Sequence, residues 1–352
     1  MRQAAAGPYK WLMHITMVDD SIPFDGFSPG SRPLGGAEKA FASLPGALAR
    51  RGHDVHVYNR ARYPMVIEGA HWETLDKDFP AQTDVLIAFR KPSLLSSVRL
   101  AGRRLLWTTA TGRQLEPARK AIESFQPAIL FCGRTQAQGW ADKGDVPCRV
   151  VPPGLRSEYL ADAAMAPAEP PTALVTTHPA HGLDWLLDRW CGQIRPAVPD
   201  ARLVVVSAMF DKARAGGELP APLQPLFAKT QAAAVDGVDI VAPASDAGMA
   251  DLYRSARAHL YPGHPDDMVC WTLMESQACG LPAVARPLGA AGERLRDGQS
   301  GMIVPDEAAF ANVAARLLSD DDTFWGMSRD AHLLQRERSW DTVAQEFEMS
   351  FG

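Results

Sequence analysis

Long apolar runs are missing from this chain of 352 residues. Nothing in it reaches the ~18 consecutive apolar residues that a membrane-spanning helix requires. The opening stretch, "MRQAAAGPYKWLMHITMV", lacks the apolar core of a secretory leader, and residues 1–10 read as an irregular extension. Cysteine is scarce: Cys132, Cys148, Cys191, Cys270 and Cys279 are scattered, odd in number and without a C-x-x-C pair. That usage excludes a disulfide framework and suits a reducing compartment. The expectation is a cytoplasmic protein, at most peripheral to a membrane surface. Neither sign of charge dominates, since 36 basic residues stand against 41 acidic ones, a net charge of -5. A protein devoted to nucleic acid carries the opposite balance. A small phosphorylated ligand, whose site needs only a few local donors, stays open.

Several catalytic signatures are absent too. There is no G-x-G-x-x-G, which disfavours a dinucleotide oxidoreductase, and no G-x-x-x-x-G-K-S/T for a P-loop. The nine histidines form no H-x-x-x-H or H-E-x-x-H, so no metal site is expected. "DDD" at 320–322 reads as a cap run before a helix.

What the sequence does contain is an alternation of short apolar runs with amphipathic helical ones. "WLMHITMV", "DVHVY", "DVLIAF", "RLLW", "AILFCG" and "CRVV" read as strands in the first half. "TALVTT", "RLVVVSAMF", "VDIVAP", "AHLYP", "PAVA" and "GMIV" repeat the scheme in the second. That is the pattern of α/β domains with parallel sheets. The small, Pro-rich stretch 161–171 reads as a linker between domains at 11–160 and 172–337. Residues 338–352 read as an amphipathic helix capped by Ser339. Ligands of doubly wound sheets sit beyond the carboxyl ends of the strands, so the loops there matter most.

Two loops stand out. The stretch 19–41 ends in Gly35-Gly36 directly before the helix "AEKAFASLPGALARRG". Glycines at a helix N-terminus let an anion approach the free N–H groups and the positive dipole end. A flexible loop with a glycine start reads equally well. Pro45 falls mid-helix, where it removes a hydrogen bond and should bend the axis. The second stretch is "YPGHPDDMVCWTLMESQACGLPAVA", a loop and helix closed by Gly280. Glu275 lies one turn into that helix, in apolar surroundings, and a carboxylate there needs donors. Ribose hydroxyls would serve, and Asp267 could accept from the hydroxyls of another ring. The bland alternative is a solvent-facing Glu275 and a capping Asp267.

Taken together, "GGAEKAFASLPGALARRGHDVHVY" and "DMVCWTLMESQACGLPAVARPLGAAGERLRDGQSGMIV" resemble the retaining glycosyltransferases of family four, the glycosyl transferases group 1. The first matches their Gly-Gly-x-Glu loop. The second follows their carboxylate, seven residues, Glu signature through Gly280, Pro282, Gly289, Glu293, Gly298 and Gly301. The resemblance implies a GT-B fold, two doubly wound Rossmann-like domains facing an interdomain cleft. It also implies sugar transfer from a nucleotide-diphosphate sugar, a substrate, with no metal or other cofactor. The acceptor would be a glycan, a lipid-linked sugar or a small molecule, met by the N-terminal domain. The terminal helix would return onto that domain.

By position, Glu275 would hold the ribose and Asp267 the donor-sugar hydroxyls. Val269 and Cys270 would offer backbone groups to the sugar, and Trp271 and Thr272 backbone N–H groups to the diphosphate. Gly35 and Gly36 would face it from the other domain. The family's two phosphate-binding cations are missing, since Thr176 and His181 occupy those positions. His181, protonated beside the phosphates, and Arg286 are the candidate replacements. The departure leaves a second reading: a non-catalytic GT-B protein that binds a nucleotide or glycan, or scaffolds a partner enzyme.

Overall fold

Parallel strands covered on both faces need near-continuous apolar runs, and the chain supplies them twice. The computed structural model describes residues 12–140 and 146–351; the extension read at 1–10 lies outside them. The first sheet comprises β1 (His14–Val18), β2 (Asp54–Asn59), β3 (Met65–Ile67), β4 (Ala70–Thr74), β5 (Gln82–Phe89), β6 (Leu100–Thr108), β7 (Ala128–Phe131) and β8 (Cys148–Val150). Their order is β3-β4-β2-β1-β5-β6-β7-β8, and only β3 runs antiparallel to its neighbour.

The second sheet comprises β9 (Thr172–Val175), β10 (Arg202–Val206), β11 (Val238–Val241), β12 (Ala258–Tyr261), β13 (Ala283–Ala285) and β14 (Gly301–Ile303). It is parallel throughout, in the order β11-β10-β9-β12-β13-β14. Both sheets therefore reverse strand order beside their first strand, at β1/β5 and at β9/β12. Such a reversal opens a crevice for ligands at the carboxyl ends of the strands.

Two local readings change. β3 and β4 form a hairpin around Glu68-Gly69, both at positive φ (50° and 84°), which the first reading lacks. That pairing of backbone signs suits a two-residue hairpin turn, here without the usual Asn-Gly signal. The run "RLVVVSAMF" stops being a strand at Val206, because the Ser207 side chain accepts the Phe210 N–H and caps the helix Ala208–Arg214. Elsewhere caps fall as the sequence suggests: Asp320 accepts from the Thr323 N–H and Ser339 from the Thr342 N–H.

The helix Trp340–Glu348 sends Trp340, Val343, Ala344 and Phe347 into the core beneath the first sheet. Trp107 meets Trp340 and Phe347 edge-on, at centroid distances of 6.3 and 5.1 Å. Val269, from the second half, joins the same core, and Trp271 packs against it. The loops of the two sheets thus meet face to face.

Candidate active site

The helix Gly36–Arg50 begins after the β1 loop, and the helix Trp271–Ala278 begins after the β12 loop. Their first residues touch. A Cβ on Gly36 would overlap the Trp271 side chain, so only glycine permits this approach. Gly35 is the extended N-cap of one helix; Cys270 caps the other with φ 54° and ψ 51°, a left-handed conformation strained for a side-chain-bearing residue. Among the described residues, the backbone N–H groups of Gly36, Ala37, Glu38, Trp271 and Thr272 have no protein acceptor. Two helix N-termini, each carrying roughly half a positive charge, converge on one spot. An anion is the natural occupant of such a place.

Beside this spot lies Glu275, only 6% exposed. The Lys39 ammonium, from the first turn of the Gly36–Arg50 helix, reaches its carboxylate at 2.8 Å and Asp246 at 2.8 Å. Arg156 pairs with the second Asp246 oxygen at 2.8 Å, and the Tyr159 hydroxyl donates to Asp246 at 2.6 Å. The Tyr253 hydroxyl donates to Glu275 at 3.3 Å. Two cations and two carboxylates balance, which is how buried charge is tolerated. Burial opposes the charge on Lys39 most strongly, but Glu275 and Asp246 outweigh it and hold the ammonium above its ordinary pKa. Burial also pushes the Glu275 carboxyl up, with Lys39 pulling against it. The cavity left between Gly36, Lys39, Trp271 and Glu275 measures about 20 Å³, room for a single water. Around Glu275 the two halves are closed on each other.

Asp267 serves its own loop. The Tyr261 hydroxyl donates to one carboxylate oxygen and the Cys270 N–H to the other, at 3.0 Å for the latter. The Val269 carbonyl accepts from Arg294 Nε at 2.8 Å, while Arg294 Nη2 reaches the Cys132 carbonyl of the first half at 2.9 Å. The backbone groups expected to greet a sugar at Val269 and Cys270 are thus partly taken by the protein. Glu293 accepts the Arg134 and Thr135 N–H groups at 2.8 and 2.6 Å, a second stitch across the crevice.

Thr176 is half-buried and bonded to a core histidine. The Ser276 hydroxyl already donates to the Leu273 carbonyl, so His259 Nδ1 donates to Ser276 (2.7 Å) and Nε2 accepts from Thr176 (2.9 Å). Burial pushes His259 down to about 3. His181 stacks on His264 at 4.2 Å, with His178 at 5.3 Å. Burial, then His264 and His178, lower its pKa against the pull of Asp267 and Asp266. The charge expected on His181 is therefore not carried by the free protein near neutral pH. Arg286 lies with its guanidinium 4.6 Å from the Trp185 ring, on the helix Leu183–Arg189, and takes no part in the groups around Glu275.

Residues 172–320 match the family model described as glycosyl transferases group 1. The chain carries a group 1 glycosyltransferase domain. D-inositol 3-phosphate glycosyltransferase of Gordonia bronchialis is 24% identical over 92% of this chain and 85% of its own length. Among solved structures, sucrose-phosphate synthase from Thermosynechococcus elongatus gives a TM-score of 0.74 at 16% identity, over 96% of this chain and 98% of its own. The alpha,alpha-trehalose-phosphate synthase (UDP-forming) from Burkholderia xenovorans, in complex with glucose-6-phosphate, gives 0.70 at 10% identity over 96% of this chain and 100% of its own. The fold is GT-B, as the sequence led one to expect. No helix among its described residues is long and apolar enough to cross a membrane.

Sequence reasoning missed several members of the crevice. Lys39 reads as an ordinary helix-surface lysine, and Asp246 sits inside the loop "APASDAG", which carries no motif. Tyr159 and Arg156 fall just before the linker. Asp19, at the end of β1, is 1% exposed and keeps one carboxylate oxygen without a partner. Its signal was available: a charged residue closing a buried strand at a switch point.

Proposed function

We propose that the protein transfers a sugar from a nucleotide-diphosphate sugar to an acceptor hydroxyl, with retention at the anomeric carbon. The observation that carries this reading is the meeting of two helix N-termini, with five unpaired N–H groups, beside the buried carboxylate of Glu275. The diphosphate would lie across those N–H groups, which stabilise it best as the leaving group gains charge. The ribose hydroxyls would donate to Glu275 and displace Lys39. Lys39 sits one turn from the same N–H groups, so the released ammonium stays beside the diphosphate and supplies a cation that Thr176 cannot and that His181 lacks in the ligand-free protein. Asp267 would accept from the donor sugar, and the unpartnered oxygen of Asp19 from the acceptor. Closure of the crevice then positions the two substrates and excludes water. No step of this reaction uses a metal. The scattered cysteines support a cytoplasmic setting.

Two of the similar proteins are named for, or were solved with, phosphorylated polyols: inositol 3-phosphate and glucose-6-phosphate. Both are therefore the first acceptors to try. The test is isothermal titration with UDP-, GDP-, ADP- and dTDP-sugars, followed by mass detection of the glycosylated acceptor and NMR of its anomeric configuration. Donor-dependent transfer with retained configuration supports the proposal. Tight nucleotide binding without sugar release from any donor replaces it with the non-catalytic reading.

A further inference from the structure

Far from the crevice, at the amino ends of the first sheet's strands, the register gathers histidines that lie far apart in sequence. His14 opens β1 opposite Asp54, and His56 on β2 lies opposite His71 on β4. Side chains two apart on a strand share a face, so Asp54 and His56 point the same way and bring both partners with them. Asp54 is held from both sides: His14 Nδ1 lies 2.8 Å from one oxygen and His56 Nε2 3.2 Å from the other. The His56 and His71 rings stack at 4.8 Å with planes 10° apart. One ligand atom each from Asp54, His56 and His71 falls within 4.8 Å of the others.

We propose that Asp54, His56 and His71 form a binding site for a zinc-class divalent cation, with His14 orienting the Asp54 carboxylate. Imidazole nitrogen and carboxylate oxygen are the donors such a borderline ion takes. Ligand atoms around a tetrahedral zinc lie about 3.4 Å apart. His71 is exposed and His56 partly so, and their rings can close from the present spacing by turning about their side-chain bonds. The pairing of His14 with Asp54 is the kind of outer contact that fixes a ligand's orientation. Asp84, which accepts the His14 backbone N–H at 2.8 Å, adds negative charge nearby. The cation would clamp β2 to β4, whose other neighbour is only the short β3. Its role is structural, since it sits at the end of the sheet opposite the crevice.

The test uses the untagged full chain. Zn²⁺ is titrated calorimetrically against a competing chelator, metal is counted after dialysis, and Co²⁺ is bound for its visible spectrum. One equivalent of zinc, an intense Co²⁺ band typical of low-coordinate sites, and a raised melting temperature are expected. His71→Ala and His56→Ala should each weaken binding by at least about a hundredfold, and His14→Ala by about tenfold, the low end for an outer-shell contact. Far-UV spectra of the metal-free variants check that each is folded. Substoichiometric zinc, a Co²⁺ spectrum like the aqueous ion, or affinity unchanged in His71→Ala would mean the cluster holds ion pairs only, and overturns the site.

Discussion

Glu275 is a charge kept where charge is expensive, and removing it separates its two roles. In the proposed reaction it accepts ribose hydroxyls, and hydrogen bonds to a charged group contribute about 1.5–3 kcal/mol. Glu275→Gln should therefore weaken nucleotide binding by about ten- to a hundredfold, read by titration with UDP or whichever nucleotide binds. His259 gives a different residue-scale prediction. Its folded pKa of about 3 lies below the ordinary value of about 6.5. The unfolded chain therefore binds the extra proton between those values, and stability falls as pH drops through that window. Urea unfolding at pH 7 and pH 5 should show a loss of about 2 kcal/mol over that interval from this one group. His259→Gln should lessen that slope by about one proton. His181, whose pKa is also lowered, should gain a proton when diphosphate binds beside it. Calorimetry in buffers of different ionisation heat should detect this uptake near pH 6.5, and His181→Ala should abolish it.

At the scale of elements, the contact between the two helix starts leaves no room for a methyl group. Gly36→Ala should drop turnover by at least about a hundredfold through misplaced substrates, while the far-UV spectrum stays that of the parent. A variant with parental activity would show that the helices need not meet. The strands of both sheets were legible because parallel strands are apolar throughout, and the caps because Ser339, Asp320 and Gly280 carry their geometry in their side chains or lack of one. The β3–β4 hairpin was not, since Glu68-Gly69 does not advertise a turn. The crevice was half legible. Gly35, Gly36, Trp271 and Glu275 form local patterns, but Lys39 reaches Glu275 across 236 positions, and no linear reading predicts that pairing. Asp54, His56 and His71 escaped for the same reason, because only sheet register unites them.

Across the whole molecule, the two halves are held by the Lys39–Glu275–Asp246–Arg156 quartet, the Glu293 and Arg294 stitches, and the returning Trp340–Glu348 helix. Breaking a buried ion pair from one side costs about 3–5 kcal/mol. Lys39→Met keeps the apolar stem and removes the charge, so it should loosen the ligand-free protein. Small-angle scattering should then report a larger radius of gyration than the parent's. An unchanged radius would shift responsibility for closure to the stitches. The indole of Trp271, wedged over the backbone of Gly36, has a practical corollary. Any parting of the halves must wet that ring, so the emission difference between the parent and Trp271→Phe is a built-in optical gauge of how far the jaws have swung, readable on the timescale of a single turnover.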